Sequence, residues 1–318
     1  MVLKELIADG RKTIADIARD TGLARENVKK SYEALEQMGI ILGATIHINY
    51  KSFGYKAVAH MLVNVDSNQA EQLTEFLRKM PEIYFVYNRG PKGSLDVTIT
   101  IKTLRELDRI KDAIKNQFSV TEMKTAIWTD VKEMHWNLTV GASSIPQTKQ
   151  AVSKQIDTSA SEVAQKKVSV DEKDRKIADM LAENGRVAME TIAKETGISL
   201  DTAKRRYEKL KKNGVLKVTI QFDPTKIGYH AMGVFFVTTS DVNSASIIDA
   251  ICEVPDVISI MKTIGDYDLQ IYAFIRDLEE LLAIQEKLGR IKGLSKIDSE
   301  ILQISNKWPS PRQYISTF

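Results

Sequence analysis

Six basic side chains stand between positions 199 and 213, against two acidic ones, so this short stretch carries +4. Wound at 100° per residue, it places Ala203, Tyr207 and Leu210 on one face. The opposite face holds Thr202, Arg205, Lys209 and Lys212, flanked by Lys204 and Arg206. The chemistry open to such a row of cations is pairing with phosphate oxygens. A second stretch, MKTIGDYDLQ, offers a different chemistry. It reads as a hairpin in which Gly265 leaves amides open to a carboxylate, while Asp268, beside Tyr267, faces an ammonium group. An amino acid carries both charges on one carbon. The plain alternative for each is a solvated helix face and a polar turn.

What precedes the basic face decides the first case. Ile192 and Ala193 mark the apolar side of an earlier helix, and Thr196-Gly197 stops it, glycine supplying a positive φ without steric cost. Ser199 then caps the next helix, Asp201 adds a carboxylate in its first turn, and Gly214 ends it. Two helices at a tight turn form a helix-turn-helix, whose second helix is the one that enters a major groove. Double-stranded DNA is the partner this predicts.

The pattern occurs twice. Gly10-Arg11, Thr21-Gly22, Tyr32, Leu35 and Gly39 recur 175 residues on as Gly185-Arg186, Thr196-Gly197, Tyr207, Leu210 and Gly214. With an offset of 174, Gly54-Tyr55 and Pro81 meet Gly228-Tyr229 and Pro255. The chain is two copies of one unit. After each helix-turn-helix the periodicities run strand, helix, strand, strand, helix, strand. The fold class is therefore α+β, two tandem copies of a winged helix-turn-helix and a ferredoxin-like βαββαβ domain. Each sheet has both helices on one face, so the other face calls for a sister sheet, within one chain or between two. The expected divisions are a first head over 1–45, a sheet domain over 46–137, a linker over 138–169, a second head over 170–219 and a second sheet domain over 220–318. The linker reads so from its Ser, Thr, Ala, Gln and Lys content, with a transient helix around 148–156. The tail, with Pro309 and Pro311, is not a continuing strand.

The rest of the composition excludes more than it suggests. A net charge of +3 over 318 residues does not by itself announce nucleic-acid binding, and 43% hydrophobic residues is ordinary. One cysteine, Cys252, rules out an intrachain disulfide and a CxxC metal site. The four histidines fall at no metal-ligand spacing, and no catalytic triad or phosphate-cradling loop stands out, so neither cofactor nor metal is expected. No stretch approaches a signal peptide or a membrane span, which points to the cytoplasm.

The second copy resembles the Lrp/AsnC regulators through GRVAMETIAKETGISLDTAKRRYEKLKKNGVL, FDPTKIGY and IGDYDLQIYAF. The resemblance implies a ligand-responsive transcription regulator with a βαββαβ effector and oligomerisation domain that senses amino acids. In it Ser199, Thr202 and Arg206 match recognition-helix positions, and Gly265 with Asp268 match a Gly-x-x-Asp effector loop. The first copy departs from the pattern. Ser199, Thr202 and Arg206 become Ala24, Asn27 and Ser31, and Arg205, Lys209 and Lys212 become Lys30, Ala34 and Gln37. Three basic and three acidic residues between 24 and 38 leave its second helix neutral, and of the three matched positions Lys30 alone keeps a cation for the first head. Its effector loop, NRGPKGSLD, is two residues longer, with Pro91 and Lys92 ahead of Asp96. Sirohaem decarboxylases share the architecture, which makes an enzyme of that kind the alternative; an outward basic helix face argues for a regulator that is not an enzyme.

Overall fold

The computed structural model describes all residues except 81, 90–92, 135–136, 140–169, 241–244, 310–314 and 317–318. The expected helix at 148–156 and the inserted Pro91 and Lys92 lie outside the described residues. The first head comprises α1 (Val2–Ala8), α2 (Ile14–Thr21) and α3 (Arg25–Gln37), and leads into β1 (Ile41–Asn49). The first sheet domain follows as β2 (Ala57–Val65), α4 (Ala70–Arg78), β3 (Ile83–Asn88), β4 (Ser94–Ile101), α5 (Leu104–Gln117) and β5 (Val120–Glu133). The second unit repeats this order with α6 (Glu172–Glu183), α7 (Met189–Thr196), α8 (Leu200–Lys212) and β6 (Leu216–Phe222). Its sheet domain is β7 (Ala231–Thr239), α9 (Ala245–Cys252), β8 (Val257–Ile264), β9 (Leu269–Ile275), α10 (Leu278–Gly289) and β10 (Leu294–Gln303). A two-residue strand, β11 (Ile315–Ser316), ends it.

Period-2 patterning sorts each strand between two faces. In β2, Ala59, Met61 and Val63 are buried with Leu73 of α4 and Ile110 of α5. In β9, Leu269, Ile271, Ala273 and Ile275 pack with Ile248 and Leu281 of α9 and α10. The alternate residues, Val58 and His60 in β2 and Gln270 and Tyr272 in β9, face away from the helices. All eight strands join in one sheet, in the order β10-β7-β9-β8-β5-β2-β4-β3. The seam between the units is the antiparallel pair β5–β8, running from Ile127 opposite Ile264 to Glu133 opposite Ser259. The two outer strands also meet. Tyr87 of β3 donates its hydroxyl to the Gln303 carbonyl of β10, and Arg89 pairs with Glu300. The halves thus pair within one chain. They do so by joining edges and curling, so that each helix-free face is covered by the far side of the same sheet. Trp128, Val131 and Met261 pack together there from both units.

The heads are joined by a separate sheet in which β1 runs antiparallel to β6. These strands run through positions 45/46 and 219/220, so neither expected head boundary is a break in the chain's structure. The linker begins later than expected. Leu138 is fully buried, and the Thr139 N–H donates to Asp256 at 2.7 Å. The tail also departs from expectation. Beyond its prolines it extends again, and Ile315 and Ser316 pair parallel with Ile48 and Asn49 of the other unit.

Candidate nucleic-acid interface and effector sites

Helix α8 is built as its residue types require. The Ser199 hydroxyl accepts from the Thr202 N–H at 3.3 Å, and Gly197 holds φ +65° in the turn before it. Ala203, Tyr207 and Leu210 are buried against the rest of the head. Lys204, Arg205, Lys209 and Lys212 are exposed, and among the described residues they form no ion pair. Thr202 is half-buried and takes a hydrogen bond from Ser199 Oγ at 2.9 Å.

Arg206 has a different role from the one its position suggested. It turns toward α6 and pairs with Asp171 and Asp174, both at 2.7 Å. Asp174 is buried, and a buried carboxylate needs a cationic partner. The bond to Asp174, followed by that to Asp171, holds the guanidinium pKa above its ordinary value. Arg206 is therefore a clamp between helices. Lys211, also counted in the +4, pairs with Asp9 of the other head at 2.9 Å. Four cations remain for a polyanion.

In the first head, Ala24 offers no side-chain cap to α3. Lys30 is exposed but lies 3.9 Å from Glu26 one turn away. The two recognition helices thus differ in charge, cap and number of unpaired cations.

The heads are fixed to each other by reciprocal contacts that sequence reasoning missed. The Gly10 N–H donates to Val218 of β6, and the Gly185 N–H to Ala44 of β1. Arg11 donates to the Val187 carbonyl and Arg186 to the Gly10 carbonyl, each at 2.7 Å. Their guanidinium groups cover the rings of Tyr207 and Tyr32, each 5.2 Å from the centroid. The Gly-Arg pair stood out as a repeat marker; nothing in one sequence showed that each copy grips the other.

The expected effector residues fall at two separate places. Asp268 does not stand open at the hairpin turn. Its Oδ2 accepts from the Thr239 N–H at 2.7 Å, tying β9 to the end of β7. Tyr267 donates its hydroxyl to Asp298 at 2.6 Å. Gly265 is exposed and its φ is outside the left-handed region; a Cβ there would lie 3.4 Å from the Ala126 Cβ of β5, an ordinary contact. Asp96, by contrast, lies inside the curled sheet. It is 8% exposed, with His60 Nε2 3.0 Å away and Arg89 Nε at 3.4 Å. His60 and Trp128, neither expected at a site, stack beside it. Among the described residues no cluster of side chains could hold a metal ion, and no helix is long and apolar enough to cross a membrane.

Comparisons with known proteins match both heads and the second sheet domain. Residues 170–211 match the AsnC-type helix-turn-helix domain, and residues 233–305 the Lrp/AsnC ligand binding domain. Residues 1–41 match a more general winged helix-turn-helix DNA-binding domain. The chain is 28% identical over 142 residues to the HTH-type transcriptional regulator FL11 of Pyrococcus horikoshii, 44% of this chain and 94% of that one. It is 28% identical over 135 residues to the regulator LrpA of the same organism, 42% of this chain and 96% of that one. Its fold is similar over 99% of its length to 91% of the siroheme decarboxylase NirDL, with TM-score 0.58 and 16% identity. The second unit thus matches both domains of the Lrp/AsnC family, and the chain carries that architecture as two units in tandem.

Proposed function

We propose that this protein is a DNA-binding transcription regulator of the cytoplasm whose second head supplies most of the contact with DNA. The observation that carries the reading is the row Lys204, Arg205, Lys209 and Lys212, exposed on α8 and without a carboxylate partner among the described residues. Such a row satisfies phosphates and base edges in a major groove. Lys30 gives the first head a weaker hold. Because β1 and β6 fix the heads together, one chain presents both, and its operator has one strong and one weak half. The ligand-binding domain match over 233–305 supports a small-molecule effector. We assign its class as an amino acid, held near Gly265, Tyr267 and Asp268. Binding there loosens or tightens the tie from Asp268 to Thr239 and so alters how chains assemble through the βαββαβ domains. Electrophoretic mobility shift with the promoter of the chain's own gene, with and without each amino acid, tests this. Retardation that one amino acid alters is expected; no retardation of any promoter fragment contradicts it.

One observation favours a second reading, an enzyme acting on a tetrapyrrole: the full-length likeness in fold to NirDL. At 16% identity it speaks for the fold alone. A purified chain that takes up sirohaem with a Soret band and releases carbon dioxide from it would reverse the ranking.

A further inference from the structure

The curled sheet holds a half-open cleft of about 130 Å³ between the units. Its walls are aromatic and thioether: Trp128 from the first unit, with Met261, Tyr272 and Trp308 from the second. At one end stand Asp96 and His60, each at least nine-tenths buried. Asp96 Oδ1 and His60 Nε2 are close, yet neither completes a hydrogen bond with a described residue. A buried polar atom left without a hydrogen bond costs about 1–3 kcal/mol, so a group that meets it has a ready gain. Apolar walls with a few convergent polar atoms are how small-molecule sites are made.

Size and shape narrow the ligand. A dry cavity of about 150 Å³ takes one benzene ring, so a single ring matches the volume here. Aromatic side chains line it, and aromatic rings pack favourably with one another. We propose that this cavity binds a single-ring aromatic molecule carrying an N–H donor, its ring among Trp128, Tyr272 and Trp308 and its N–H on Asp96. The site belongs to both units and lies apart from the Asp268 hairpin, so it stands whether or not an amino acid binds there. The side-chain contacts Tyr87–Gln303 and Arg89–Glu300, across the outer strands, close one side of it.

Aniline and toluene, one ring each and differing in the donor, are the probes. With the unmodified full chain, saturation-transfer NMR and quenching of tryptophan fluorescence should show aniline bound about tenfold or more tightly than toluene. Asp96→Asn, which keeps the shape and an acceptor oxygen but loses the charge, should reduce that preference, while Asp268→Asn should leave it intact. Aniline failing to bind the unmodified chain would overturn the proposal. So would equal binding of aniline and toluene, or a preference unchanged in folded Asp96→Asn. Haemin seated in the cavity, with a Soret shift that Asp96→Asn abolishes, would overturn the single-ring assignment. Amino-acid binding is read separately by calorimetry, so its failure leaves this result standing.

Discussion

Arg206 of α8 donates to Asp174 of α6 across 2.7 Å, and this contact removes from the DNA face a cation that the helix wheel had placed beside it. Asp174 is 2% exposed, so its carboxylate depends on that guanidinium. Arg206→Gln should destabilise the second head by about 1.5–3 kcal/mol, the usual worth of a charge-assisted hydrogen bond. Urea unfolding followed by circular dichroism measures it. The salt slope of DNA binding by the folded variant should stay unchanged. A slope lower by about 0.9 would instead show Arg206 on a phosphate.

The same clamp sets a pH dependence. Asp171 is held below the ordinary carboxylate range, first by the Asp174 N–H and then by Arg206. A carboxyl with a lowered folded pKa contributes stability that is complete above its unfolded value and is lost as the pH falls through the folded one. Asp171→Asn should therefore narrow the stability gap between neutral pH and pH 3. An unchanged gap in acid unfolding curves would show that Asp171 contributes nothing.

Gly10 and Gly185 are predicted to be irreplaceable even by alanine. A Cβ on Gly10 would lie 2.6 Å from the Thr219 carbonyl carbon, and one on Gly185 2.9 Å from the Thr45 N. Both obstacles are backbone, so strands must shift. Crowding of this kind costs about 1–3 kcal/mol. Thermal unfolding of G10A and G185A should show a lower Tm in each; a Tm equal to the parent's would mean that the heads are not locked here.

Much of this was legible in the sequence because the repeat doubled every signal. The order strand, helix, strand, strand, helix, strand is found in both sheet domains, β2 to β5 and β7 to β10 with their helices. What stayed hidden were contacts between residues distant in sequence, most of them between the copies. The faces of Arg206 and Lys211 follow from spacing, yet their partners lie far off in sequence, Asp174 on α6 and Asp9 just past the end of α1. Asp96 looked like a loop carboxylate by analogy with Asp268. Its burial depends on the sheet curling until His60 and Trp128 of one unit meet Tyr272 of the other, which no local pattern encodes. The tail was read through its prolines, and these do not prevent Ile315 from pairing with Ile48 beyond them.

The two candidate effector carboxylates should separate in calorimetry. Asp268→Ala should abolish amino-acid binding and, by freeing the Thr239 N–H, cost about 1 kcal/mol of stability. Asp96→Ala should affect amino-acid binding far less. Binding unchanged in Asp268→Ala would move the amino-acid site elsewhere.

The inequality of the two heads is tested most directly by a salt titration of binding to a natural promoter fragment. Each basic residue on a phosphate contributes about 0.9 to the slope of log affinity against log salt. Replacing Arg205 and Lys209 together by alanine should weaken binding and flatten that slope by roughly two units, if both rest on phosphates. If one reads a guanine edge instead, its loss should cost about 1–3 kcal/mol and relax sequence preference. Lys30→Ala, run beside them, should change slope and affinity much less. Equal losses from the two heads would show that the first head holds DNA as fully as the second, and would contradict the asymmetry on which this account rests.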